Sequence, residues 1–204
     1  IHVSSNSRYF CLLDLKRVKI LYRSMHRALL LRLVESYQIK YPAEIETVSR
    51  YKGFVTANKN CFERSLLEGH ITCGAWILDG SGKKTLLTHH RKLERWMQLG
   101  GHADGDYDVH RVAAKEAHEE SGISTLELVS KEIFDIDIHQ IPARGDVPKH
   151  FHYDARFLFR TTDNEKYEVS NESIDLAWVN IDEIDEFSSE ESILRMVKKT
   201  KDFF

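Results

Sequence analysis

Between about residues 15 and 37, Leu15, Val18, Leu21, Tyr22, Met25, Leu29 and Leu33 recur at steps of three and four. That spacing predicts an amphipathic helix, whose opposite face carries Lys16, Arg17, Lys19, Arg23, Arg27 and Arg32. Pro42, followed by Ala43-Glu44-Ile45-Glu46, predicts a break and a new helix start, and a short helical stretch is expected over 62–67. From Gly69 the period changes. Residues 71–78 read as a strand that closes in a hairpin at Asp79-Gly80-Ser81-Gly82-Lys83, with 85–88 as the return strand. Residues 96–99 form a short strand ending at Gly100-Gly101, and 109–120 a helix stopped by Ser121-Gly122. Residues 126–138 and 150–160 alternate as strands. The second puts Phe151, Tyr153, Ala155, Phe157 and Phe159 on one side and His150, His152 and Asp154 on the other. A last strand over 174–179 precedes helices over 181–187 and 191–199. Strands and helices in this mixed order predict an α+β fold, a mixed β-sheet sandwiched between helices.

Of the 204 residues, 42% are hydrophobic and 30% charged. That suffices for a core without disulfides or metals and is too apolar for a disordered chain. The net charge of −3 argues against a general nucleic-acid coat protein. The longest apolar run, 28–34, is interrupted by Arg32 and falls short of the ~18 residues of a membrane span, so no membrane partner is expected. Cys11, Cys61 and Cys73 form no C-x-x-C pair. They read as free thiols in a reducing, cytoplasmic setting. No signal-peptide pattern is seen. The chain opens on Ile and Met25 would be a natural initiator, so 1–24 are read as an upstream, non-native extension.

The candidate chemistry concentrates in 100–123, GGHADGDYDVHRVAAKEAHEESGI. Glu116, Glu119 and Glu120 stand at i, i+3 and i+4, so the three carboxylates share one helix face. Like charges so placed repel by a few tenths of a kcal/mol per pair, and a hard divalent cation would turn that penalty into a site. Without a cation, the triplet reads as a solvated acidic helix end. The segment resembles the Nudix box, G-x5-E-x7-R-E-U-x-E-E-x-G-U with U aliphatic, the signature of the Nudix hydrolase family. Gly101, Glu116, Ala117, Glu119, Glu120, Gly122 and Ile123 fall on its positions without a gap. Trp96 to Gly101 is similar to the family's approach strand. Trp178-Val179 with Ile181-Asp182-Glu183-Ile184 is similar to its closing strand and helix. The resemblance covers about 67–204, leaving 1–66 as a helical N-terminal segment. Two positions depart: Tyr107 replaces the first box glutamate, flanked by Asp106 and Asp108 that can substitute for it, and Lys115 replaces the arginine, keeping its charge without its bidentate fork.

The resemblance implies a Nudix fold and Mg²⁺-dependent hydrolysis of the pyrophosphate in a nucleoside diphosphate linked to another moiety, with Mn²⁺ as a substitute cation. ADP-ribose, nucleotide sugars, dinucleoside polyphosphates and modified nucleoside triphosphates all remain open as substrates. It further implies Glu116, Glu119 and Glu120 as catalytic metal ligands, with the Gly100 carbonyl and the distal Glu172 as further ligands. The general base is one of the box glutamates or a carboxylate from a later loop. Substrate contacts are expected from Arg91 and Lys92 ahead of the glycines, from Gly101 and His102, from Arg144 in the 142–148 loop, and from His152. Zinc at His150 and His152 is the competing reading, set second because Mg²⁺ prefers oxygen. A catalytically weak or inactive nucleotide-binding module on the same fold is the alternative function. An RNA-processing role lacks an aromatic-studded basic patch, so the expected partner is a small nucleotide rather than a nucleic acid. A homodimer through the helical segment or through an exposed strand is compatible with the sequence.

Overall fold

The computed structural model describes residues 26–162 and 165–203. The first part of the predicted basic helix, Cys11 and the suspected extension lie outside the described residues. Helix α1 runs over 26–40 and buries Leu30, Leu33, Val34 and Tyr37. A 3₁₀ turn, Pro42–Glu44, leads into α2, Ile45–Ala57, which buries Val48, Tyr51, Phe54 and Val55. Arg27 donates to the carbonyls of Val55 and Thr56, both at 3.2 Å, where the last turn of α2 leaves acceptors unsatisfied. Fully buried side chains such as Leu30 and Val34 are each worth about 1.5–3 kcal/mol, enough to make these helices part of the core.

Strands β1 (Gly69–Leu78) and β7 (His150–Thr161) form the centre of an eight-stranded sheet. They are parallel partners over ten positions, from Gly69 opposite Phe151 to Leu78 opposite Arg160. The free edge of β1 is shared by β2 (Lys84–His90) and β4 (Leu99–His102). That of β7 is shared by β5 (Leu126–Leu128) and β6 (Asp135–Ile141). β2 also pairs with β3 (Arg95–Met97) and β8 (Ser173–Asn180).

The strict alternation of β1 and β7 separates two faces. Ile71, Cys73, Ala75 and Ile77, with Tyr153, Ala155, Phe157 and Phe159, share one core with α1, α2 and α3 (Val109–Ser121). On the other face Trp76, Leu78 and Leu158 pack against Ile193 and Met196 of α4 (Glu191–Phe203). Toward the start of both strands that second face turns polar. There it carries His70, Thr72, His150, His152, Asp154 and Arg156.

An ion network sits beside this polar stretch. Asp135, wholly buried, accepts from Arg195 at 2.8 and 2.9 Å, from Lys199 at 2.7 Å and from Arg156 at 3.2 Å. Tyr37 accepts from Lys199 and donates to Glu44 at 2.6 Å. Every charge in it is met by an opposite one, so α1, the Pro42–Glu44 turn, β6, β7 and α4 are pinned together at a single point.

Four expectations change in detail. Residues 62–67 are not helical but a chain of turns, with amide-to-carbonyl bonds from Glu63 to Asn60, Leu66 to Glu63 and Gly69 to Leu66. Each spans only three residues, and no run of four-residue bonds follows to propagate a helix. The strand expected over 126–138 is two strands, because the polar stretch Ser130-Lys131-Glu132 steps out of the ladder before β6 rejoins β7. The strand over 96–99 likewise divides: β3 pairs with β2, and β4 leaves it at Gln98 to pair with β1. The helix over 181–187 is realised as a 3₁₀ turn, Ile181–Glu186.

Candidate active site

Helix α3 carries the acidic face. Asp108 caps its first turn, accepting from the Arg111 amide at 3.2 Å, and Gly122 ends it in the left-handed conformation. Val109, Val112, Ala113 and Ala117 bury its apolar face, which directs Glu116 and Glu120 toward β4. Gly101 makes room for the first of these: a Cβ there would lie 2.3 Å from Glu116 Oε2, so no side chain fits between carboxylate and strand. Glu120 is buried and accepts from the Gly100 amide at 3.1 Å. Burial pushes its pKa up to about 8, helped by the charges of Glu116 and Glu172. Burial also raises Glu116.

Two carboxylates held so uncomfortably are poor helix design and good cation chemistry. The nearby donors are all oxygens of the hard kind that Mg²⁺ prefers, and a divalent charge would reverse the upward shifts. Glu119 is exposed. Lys115 bridges it, at 3.1 Å, to Glu116 at 3.3 Å. Glu172 stands in the loop before β8 and lines the same pocket as Gly100, Gly101 and the three box glutamates. Its backbone is fixed by Arg91, whose amide donates to the Glu172 carbonyl at 2.9 Å. The Arg91 guanidinium donates to the carbonyls of Asn171 and Ser173 at 3.1 and 2.6 Å. Arg91 is therefore spent on holding the loop and is not among the residues lining the pocket, whereas Lys92 is.

The rest of the pocket lining is in part basic and imidazole-rich. Lys92, Arg144, His102 and His152 belong to it, as expected from the sequence, together with Arg64. Arg64 makes a bidentate ion pair with Asp104. Sequence reasoning had no purchase on it: its partner lies 40 residues away, and it stands in the turn segment read as a helix. His70 was missed too, one residue ahead of the expected strand. Its shared parity with Thr72 was the available signal.

The two departures from the box acquire places. Tyr107 stacks on His26 of α1, ring centroids 3.8 Å apart, and meets Phe62 edge-on at 5.8 Å. It thus packs the box loop onto the N-terminal helices. Asp106 is paired with Arg111 at 2.7 and 2.8 Å and Asp108 serves as the cap, so both neighbours shape the start of α3.

The chain belongs to the NUDIX domain family, whose model matches residues 69–199. The expected enzyme class, a Nudix hydrolase, is met at that level. Solved structures with the same fold include an Ap4A hydrolase from C. elegans in a binary complex, with 18% identity, 65% of this chain and 96% of that one covered, and a TM-score of 0.54. A NUDIX-family hydrolase from Clostridium perfringens is 23% identical over 66% and 98%, with a TM-score of 0.51. The E. coli dihydroneopterin triphosphate pyrophosphohydrolase is 14% identical over 63% and 92%, with a TM-score of 0.52. No curated protein matches the sequence significantly. No helix among the described residues is long and apolar enough to cross a membrane.

Proposed function

We propose that this chain hydrolyses the pyrophosphate linkage of a nucleoside diphosphate derivative, with Mg²⁺ or Mn²⁺ held by Glu116, Glu119, Glu120, Glu172 and the Gly100 carbonyl. One observation carries the reading: a single pocket is lined by Glu116, Glu119, Glu120 and Glu172 together with Arg64, Lys92 and Arg144. A polyphosphate bound there could meet both a carboxylate-held cation and the guanidinium and ammonium groups. Bound Mg²⁺ would polarise phosphoryl oxygens and acidify its water. The protein's own part is to bind, orient and take a proton. Arg64, Lys92 and Arg144 offset the charge of the diphosphate, and Gly101, His102 and His152 line its seat. One carboxylate of the pocket accepts the proton as water oxygen bonds to phosphorus and the bridging P–O bond breaks. The specificity elements are the 142–148 loop and the packed N-terminal helices.

The Lys115 bridge favours a second reading, a weak or inactive nucleotide-binding module, because a cation must compete with an ammonium group already in place. Product release from a panel of ADP-ribose, nucleotide sugars, dinucleoside polyphosphates and nucleoside triphosphates, with Mg²⁺, Mn²⁺ or EDTA, decides between them. Turnover that requires metal and falls by at least about 100-fold in Glu116→Gln/Glu120→Gln, the scale of a lost catalytic group, supports hydrolysis. Tight metal-independent binding without turnover supports the module.

A further inference from the structure

The sheet register lines up imidazoles across four neighbouring strands. His70 of β1 stands opposite His152 of β7, and His152 opposite His139 of β6; Ile141 pairs with His150, two residues along β7 on the same face. His102 of β4 pairs with Thr72, which shares the parity of His70. Around His152, the ring centroids of His70, His102, His139 and His150 lie at 4.9, 4.9, 5.3 and 5.2 Å.

We propose that His70, His150 and His152 form a binding site for a divalent transition metal of the zinc class, distinct from the oxygen site on α3. One ligand atom from each lies within 4.8 Å of the others. Metal–nitrogen bonds of about 2.0–2.1 Å would bring them to roughly 3.4 Å, a closure within reach of small ring rotations. His70 points to the ligand independently. It is only 4% exposed, and neither of its ring nitrogens has a hydrogen-bond partner of good geometry, although the Leu66 carbonyl nearby offsets part of the lowering of its pKa by burial. Leaving a buried polar ring in that state is unfavourable, and a metal bond would reverse the penalty. His150 donates through Nδ1–H to the Pro148 carbonyl, 2.9 Å away. This leaves Nε2 free, the outer-carbonyl arrangement usual for ligating histidines.

The chemistry of the donor set chooses the ion. Three neutral imidazoles suit zinc, copper or nickel and suit magnesium poorly. Three protein ligands leave a fourth position open. The same three side chains line a cavity of about 440 Å³ with Leu66, Pro142 and Val147, so that position is open to a small donor ligand rather than closed by the protein.

The site rests on its own geometry and not on the hydrolase reading. The test is calorimetric titration of Zn²⁺ into the chelator-stripped full chain, and optical titration of Co²⁺, both in the Glu116→Gln/Glu120→Gln background so that the oxygen site is silent. One equivalent bound, with the intense visible bands of low-coordinate, nitrogen-ligated Co²⁺, is expected. His70→Phe should weaken binding by more than about 100-fold, beyond what outer-sphere changes reach. If that variant misfolds, His150→Phe must show the same loss. Absence of binding in this background overturns the proposal. So does binding that neither histidine substitution weakens, or a pale Co²⁺ spectrum of oxygen type.

Discussion

Two buried polar clusters lie on the same face of the sheet, and they are built on opposite principles. Around Asp135, two guanidiniums, an ammonium and a phenol meet carboxylates at 2.6–3.4 Å. Around His152, imidazoles face one another at 4.9–5.3 Å, and His70 has no good partner. The first has every charge compensated and so needs nothing further. In the second, His139, His150 and His152 each have one partner, in Asp137, the Pro148 carbonyl and His102, while His70 has none of good geometry, and that gap separates a cluster that fixes the fold from one that awaits a ligand.

The largest effect should come from removing the centre of the compensated cluster. Asp135→Ala leaves Arg156, Arg195 and Lys199 short of counter-charge and should cost about 3–5 kcal/mol, read from urea unfolding midpoints. A loss below about 1 kcal/mol would mean that solvent, rather than Asp135, compensates those cations. The same measurement on metal-free His70→Leu should give the reverse: no loss, or a gain of up to about 1–3 kcal/mol, because an unpartnered polar ring gives way to an apolar one. A clear destabilisation there would show that the ring is satisfied after all.

Acid separates the clusters further. Burial alone would raise Asp137, but its hydrogen bond with His139 and the charges of Arg156 and Arg195 overcome this and hold it well below the usual range. The unfolded chain therefore takes up that proton first as pH falls. Asp137 contributes its full stability above the ordinary value of 3.8 and loses it progressively below. Asp137→Asn should flatten the stability–pH curve below about pH 4, measured by thermal unfolding across pH. An unchanged slope would remove Asp137 from the network. The smallest effect belongs to the exposed Lys115 bridge. Lys115→Ala should alter stability by no more than about 0.5 kcal/mol, while lowering the Mg²⁺ concentration needed for half-maximal turnover if the ammonium competes with the cation. An unchanged Mg²⁺ requirement would mean that Lys115 swings clear on metal binding.

How far the sequence reached follows the same division. The box glutamates were legible because helix periodicity places i, i+3 and i+4 together whatever the rest of the chain does, whereas the space that Gly101 leaves for Glu116 was not. The polar parity of β7 was legible for the same reason, since alternation is local. Partners supplied by register were not. Nothing in the order of residues brings His70 beside His152, or Arg64 to Asp104; only the parallel pairing of β1 with β7 and the turns over 59–68 do. Arg91 shows the converse. Its position ahead of the glycines suggested a phosphate contact, yet its guanidinium is used by backbone carbonyls that no linear motif records.

The shared core of α1, α2 and the sheet carries a practical meaning. The stretch that heredity marks as a module, 69–199, is shorter than the stretch that holds together. Cutting the gene at those limits would strip Leu30, Val34, Tyr51 and Val55 from the face formed by Ile71, Cys73 and Tyr153. It would also take Tyr37 and Glu44 from Lys199. The excised piece would carry every box residue and a bare greasy flank. For this chain, the boundary of ancestry and the boundary of cooperative folding are two different cuts.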